Sequence, residues 1–230
     1  MLLTFVHNFM DYLLHIDTST NIGMVAIGAN GIVQALRINE ESRNHAGTLN
    51  VMINDVLAEV DITLNQLSAI VVCAGPGSYT GLRIGMAAAK GFCYVLDKPL
   101  LLDDRLTLMA YKEFNPALNF TQYISLIAAR EKEYFISIYD SNFGVELPPQ
   151  HVFQEQLTEL LGNEKNKYII TDVAENEFYD LKVNNFKVDN NIKIDVKSWM
   201  FYAYEKYKCN DIVNLSLAEP FYLKQVYTHK

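Results

Sequence analysis

Between residues 69 and 96 the chain passes from an apolar run, through a glycine-rich turn, into a long helical stretch, and few folds accommodate that join. Ala69-Ile70-Val71-Val72-Cys73-Ala74 is uninterruptedly apolar, as a strand covered on both faces is. Gly75-Pro76-Gly77-Ser78-Tyr79-Thr80-Gly81-Leu82-Arg83-Ile84-Gly85 follows, and Met86 to Leu96 then contains no helix breaker except Gly91. Glycine and proline together make a tight turn whose backbone reaches positive φ and approaches another group closely. Ser78 or Thr80 is placed to cap the helix. A glycine-rich turn at a helix start is also how proteins receive anions. The spacing matches neither the phosphate loop, since no Gly-Lys-Ser/Thr follows, nor G-x-G-x-x-G. A structural turn and an anion-facing loop both remain open at this point.

The helix from Thr80 to Asp97 carries its charges, Arg83, Lys90 and Asp97, at seven-residue intervals. Nearly everything else in it is apolar or small, so it must be covered on more than one side. Gly81, Gly85 and Ala89, four residues apart, let a neighbouring backbone come close. Two covers fit: the chain's own helix at 48–60 with a second domain, or another protein.

The division falls near Asp103. Tyr12–Asp17, Ile22–Ala29 and Ile32–Ile38 read as strands, the last two joined at Asn30-Gly31, a strong hairpin signal. Thr48–Val60 is an amphipathic helix with Leu49, Met52, Ile53, Val56 and Val60 on one stripe. With Pro99–Leu102 as a further strand, the order β-β-β-α-β-α-β predicts a mixed sheet with helices packed on it. In the second half, strands are read at 123–129, 134–139 and 168–171, with helices near Phe153–Leu161 and Ser198–Lys208.

Composition excludes several classes. A net charge of −8 without a basic cluster argues against unaided nucleic-acid binding. No run has membrane-spanning length, which predicts a soluble protein without a membrane partner. Cys73, Cys93 and Cys209 are far apart and form no C-x-x-C pair, as expected of reduced thiols in the cytoplasm. Residues 1–9 lack a basic start and a cleavage site, and Met10 directly precedes the first strand, so they read as an upstream extension. His45 has no histidine three or four residues on and reads as an exposed turn residue. Asp103 and Asp104 lead into Arg105 and read as solvated loop. Asp17-Thr18-Ser19-Thr20 ends the first strand, where it either satisfies turn amides or faces a nucleotide. No H-E-x-x-H, G-x-S-x-G or S-x-x-K pattern is present, and no convincing catalytic constellation emerges.

Five motifs occur in one order: Ile16-Asp17-Thr18-Ser19-Thr20, the helix near His45, GPGSYTGLRIG, Ala129-Arg130 with Glu133-Tyr134, and Ala218-Glu219-Pro220-Phe221-Tyr222-Leu223. In them the chain resembles the bacterial TsaB (YeaZ) family. The resemblance runs from Met10 over nearly the whole chain. It is most specific at GPGSYTGLRIG and thin between about Asp140 and Leu215. It implies an α/β, actin-like, sugar-kinase-like ATPase (ribonuclease H-like) fold of mixed sheets flanked by helices. Residues 10–104 would form the N-terminal domain carrying the partner-binding helices, and 105–230 a reduced C-terminal domain. It further implies a cytoplasmic, non-catalytic subunit for threonylcarbamoyl transfer to N6 of adenosine 37 in tRNAs reading ANN codons. The partners implied are the catalytic subunit TsaD and the ATPase TsaE, with a homodimer when the chain is alone and tRNA met only through the complex.

The catalytic paralogue binds metal through H-x-x-x-H shortly after the strand matched here by Pro99–Leu102. This chain has Asp103-Asp104-Arg105-Leu106-Thr107-Leu108-Met109 there, so the resemblance implies no catalytic residue, no metal and no cofactor. Many relatives carry Asp where this chain has Ala128. The implied partner surface is the helix pair 48–60 and 80–97, through Leu49, Met52, Ile53, Val56, Leu82, Gly85, Met86, Ala89, Lys90 and Cys93. A charge at Met86 or Ala89 is then expected to break both assemblies in a folded monomer. The alternative is an independent ATPase or phosphotransferase, with Asp17, Thr18, Ser19, Gly75, Gly77 and Ser78 facing a weakly held nucleotide.

Overall fold

A two-residue turn sets the first sheet. Asn30 and Gly31 both take positive φ, 49° and 79°, the combination that lets a hairpin keep its strand twist. They join β2 (Gly23–Ala29) to β3 (Ile32–Asn39), with Ala29 opposite Ile32. The computed structural model describes residues 10–41, 44–162, 166–175, 178 and 186–222. Residues 1–9, read above as an extension, and Leu223 of the terminal motif lie outside them.

The described chain forms two compact units. The first holds residues up to Cys73 together with Ser78–Leu102 and Met200–Ala218. The second holds Ala74–Gly77, Asp103–Trp199 and the residues from Glu219 on. The units therefore interleave along the chain, where the sequence suggested two consecutive segments meeting near residue 104. Each has one sheet of five strands.

In the first unit the sheet order is β3-β2-β1-β4-β5, where β1 is Tyr12–Asp17, β4 is Leu67–Gly75 and β5 is Leu100–Asp104. β1 runs antiparallel to β2 and parallel to β4. Both central strands are apolar almost throughout because both of their faces are covered. Helix α1 (His45–Val60) packs on β2 and β3, and α2 (Tyr79–Leu96) packs on β1 and on α1. Each helix ends on an aspartate in the left-handed region, Asp61 and Asp97, whose amide closes the last turn.

The second unit repeats the plan. Its order is β8-β7-β6-β9-β10, where β6 is Gln122–Arg130, β7 is Glu133–Asp140, β8 is Val145–Phe153, β9 is Lys167–Thr171 and β10 is Phe186–Asp189. β6 is antiparallel to β7 and parallel to β9, as β1 is to β2 and β4. Two mixed sheets of one topology, flanked by helices, are the actin-like, ribonuclease H-like architecture. One face of the second sheet packs Leu157 and Leu161 of α4 (Gln154–Leu161) against Ile124, Leu126 and Ile136. The other packs Leu106, Met109 and Ala110 of α3 (Arg105–Glu113) against Tyr123, Ile127 and Tyr139. Helix α3 and strands β8 and β10 were not legible in the sequence. In β8, Pro148-Pro149 masks the alternation, and its outer position in the sheet tolerates prolines that a central strand does not. Among the described residues the last helix is α5 (Val196–Lys208), which belongs to the first unit from Met200 on.

Candidate functional site

The residues singled out at the end of β1 and at the glycine turn do not all come together. Asp17, Thr18 and Ser19 are buried, and their polar atoms are used locally. Asp17 Oδ1 accepts from the Ser19 amide at 2.8 Å, and Thr18 Oγ1 donates to the Gly81 carbonyl at 2.7 Å. Ser78, exposed at the N-cap of α2, donates its amide to the Ser19 carbonyl at 2.7 Å and accepts from the Gly81 amide at 3.3 Å. The two predicted segments thus meet through Ser19 and Ser78, and the helix start is capped by its own chain. Gly75 is buried with φ of 115°, while Gly77 is exposed; both belong to the second unit.

The four-residue spacing in α2 has a concrete cause. A Cβ on Gly81 would lie 2.0 Å from the Thr18 carbonyl oxygen, and one on Gly85 would lie 2.4 Å from Thr18 Oγ1. The close neighbour is therefore the end of β1 in the same unit. Among the ten residues implied as partner surface, Leu49, Met52, Ile53, Val56, Leu82, Gly85, Met86, Ala89 and Cys93 are buried and Lys90 is half-buried. Those nine fill the unit's own core, because the apolar stripes of both helices face the sheet and each other. A charge at Met86 or Ala89 would consequently unfold the chain. Burial also pushes the Cys93 thiol up to about 12.

The exposed side of the same helices is a different set, missed in the sequence. On α2 it runs through Arg83, Ala87, Gly91, Tyr94 and Val95, with Tyr94 82% and Val95 79% exposed. Arg83 lies 4.1 Å over the Tyr79 ring. A Cβ on Gly91 would meet nothing within 4 Å. On α1, Val51 is 57% exposed. A helical projection about Ala89 separates these residues from the buried ones, and that signal could have found them. A groove of about 610 Å³ borders this face, lined by Lys90, Gly91, Tyr94, Asn214, Leu215 and Ser216. The Lys90 ammonium is held by the Ala218 carbonyl at 2.9 Å.

Two further readings need correction. His45 is buried as the first residue of α1, with Nε2 2.8 Å from the Thr20 carbonyl, because α1 starts against the β1–β2 turn. Asp103 is buried as well, its Oδ2 accepting from the Trp199 indole nitrogen at 2.7 Å. Asp104 caps α3 by accepting from the Thr107 amide at 2.7 Å. Neither carboxylate is solvated loop. The Ala128 backbone amide donates to Asp172 Oδ1 at 2.8 Å. No helix among the described residues is long and apolar enough to cross a membrane.

A duplicated mixed sheet whose hydroxyl turn and glycine-rich helix start close on one another defines a protein of the actin-like, ribonuclease H-like class. The solved YeaZ-like protein of Pseudomonas aeruginosa superposes over 94% of this chain and 100% of its own, with a TM-score of 0.77 at 21% identity, and shares the fold. A family model described as TsaD: tRNA N6-adenosine threonylcarbamoyltransferase matches residues 37–212. The tRNA threonylcarbamoyladenosine biosynthesis protein TsaB of Bacillus subtilis is 30% identical over 162 residues, 69% of either chain. That of Haemophilus influenzae is 35% identical over 153 residues, and the chain spans 63% of its length, less than two thirds. The chain belongs to the family of this transferase model and, within it, to the TsaB (YeaZ) family.

Proposed function

We propose that this chain is the non-catalytic partner subunit in tRNA threonylcarbamoyladenosine synthesis. It binds and activates a TsaD-type catalytic subunit, works with a TsaE-type ATPase, and meets tRNA through the assembly. The partner surface is the outward side of α1 and α2, carried by the N-terminal domain within 10–104. One observation carries this reading: Tyr94 and Val95 stand 82% and 79% exposed beside Gly91, whose Cα is open to a second helix. Large apolar side chains next to a bare backbone position are the makings of a helix-to-helix interface. The same surface supports a homodimer when the partner is absent. An independent nucleotide-using enzyme is the weaker reading, because Thr18, Ser19 and Ser78 already bond within the chain. The experiment is reconstitution of threonylcarbamoyl transfer to tRNA from the cognate catalytic subunit and ATPase, with and without this protein. Transfer that needs it, with none from it alone, is the expected result. Transfer indifferent to its presence refutes the proposal.

A further inference from the structure

Both helices assigned to the partner surface start against one short turn. Residues 18–22 join β1 to β2, and three successive members of that turn reach a helix start. Thr18 Oγ1 donates to the Gly81 carbonyl in the first turn of α2 at 2.7 Å. The Ser19 carbonyl accepts from the Ser78 amide, the N-cap of α2, at 2.7 Å. The Thr20 carbonyl lies 2.8 Å from Nε2 of His45, the first residue of α1. Thr18, Ser19 and His45 are only 3%, 1% and 8% exposed, so these bonds are made away from competing water. The turn is closed on itself as well: Asp17 Oδ1 holds the Ser19 amide at 2.8 Å, and Thr20 Oγ1 accepts from the Ile22 amide at 3.1 Å.

Packing leaves this arrangement no slack. A Cβ at Gly81 or Gly85 would strike Thr18, and one at Gly23 would lie 2.8 Å from His45 Nδ1. Three glycines thus let the turn and both helix starts touch. The outer faces of α1 and α2 form one surface only while the two helices keep their relative position, and this turn is where both are pinned. We infer that the β1–β2 turn is a brace that fixes α1 against α2, and that Thr18 and His45 are positioning residues for partner recognition. They act through the helices without touching the partner. The inference rests on the reading that the outward side of α1 and α2 is the partner surface.

The test uses the full chain and its cognate catalytic subunit. Thr18→Val and His45→Leu remove the hydrogen-bonding group at similar volume, whereas Thr18→Ser and His45→Gln keep a group that can donate. Each is titrated calorimetrically against the catalytic subunit, with urea unfolding recorded separately so that affinity is read on folded protein. The Val and Leu variants bind about tenfold more weakly, and the Ser and Gln variants stay within about twofold of the parent. Parental affinity in the folded Val and Leu variants overturns the brace. A wild-type measurement serves if those two fail to fold: partner binding slows amide exchange at Ser19, Ile22 and Ser78, and unchanged exchange there overturns the inference. Tyr94→Glu on the outer face is the control. If it binds normally, the interface reading has failed; if it loses binding while the Val and Leu variants keep theirs, only the brace has.

Discussion

On its inner side α2 presents Gly81 and Gly85 to the end of β1, with Leu82, Met86, Ala89 and Cys93 buried on the same side. On its outer side Ala87, Gly91, Tyr94 and Val95 meet no comparable cover. Both sides combine small residues with apolar ones, yet the reason for smallness differs. Inside, the glycines are required because Thr18 already occupies the place of a Cβ, with its carbonyl at Gly81 and its hydroxyl at Gly85. Outside, the absent Cβ leaves an opening that the chain itself does not fill. An apolar, small-residue helix face therefore has two meanings, and only the neighbour decides between them.

Charge separates the two sides most sharply. Met86→Glu buries an unpaired carboxylate and should cost more than about 4 kcal/mol, enough to unfold the unit. Tyr94→Glu, two turns on but facing out, should change stability by less than about 0.5 kcal/mol while abolishing association. Urea unfolding and sedimentation of both variants read the contrast. If Met86→Glu stays folded, the inner and outer assignments are exchanged.

Gly81→Ala comes next, because its methyl would lie 2.0 Å from the Thr18 carbonyl oxygen, a backbone atom with little freedom to move. A loss of about 3–5 kcal/mol is expected in denaturant titration. The inner side of the unit also has a pH signature through His15 on β1, whose burial lowers its pKa to about 3. Its folded pKa lies below the unfolded value of 6.5, so the unfolded chain takes up the proton first as acid is added. The stability is complete above pH 6.5 and is lost as pH falls toward 3, by up to about 1.4 kcal/mol per pH unit. His15→Gln should flatten that part of the stability profile.

Gly91→Ala is the outer counterpart of Gly81→Ala and should stabilise the free chain by about 0.5–1 kcal/mol, since alanine favours helix and nothing obstructs its methyl. A thermal melt reads it, and a loss instead would place an unseen neighbour on this face. The smallest effect is kinetic. Cys93 faces inward with its thiol held protonated, so alkylation at pH 8 should spare it. Val95→Cys, two residues away on the outer side, should react as fast as the exposed Cys209, as peptide mass mapping would show.

Much of this was legible in sequence wherever the cause is local. Asn30-Gly31 specified its hairpin because both positions need positive φ, and the stripe of α1 specified its buried face through period alone. The glycine spacing in α2 announced a close neighbour, but not that the neighbour was Thr18, more than sixty residues earlier. Taking the small-residue stripe for the partner surface followed from that gap. The bond between Asp103 and Trp199 spans 96 positions and leaves no periodic trace, so its carboxylate read as loop. His45 looked like a turn residue because the carbonyl that holds it belongs to a different turn, 25 positions back.

That bond between Asp103 and Trp199 has an optical consequence. Trp199 is the chain's single tryptophan, it is fully buried, and it lies with Asp103 in the second unit. Intrinsic indole fluorescence therefore reports whether the start of α5 stays bonded to the end of β5. An added fluorophore at position 95, on the outer side of α2, would register partner binding directly.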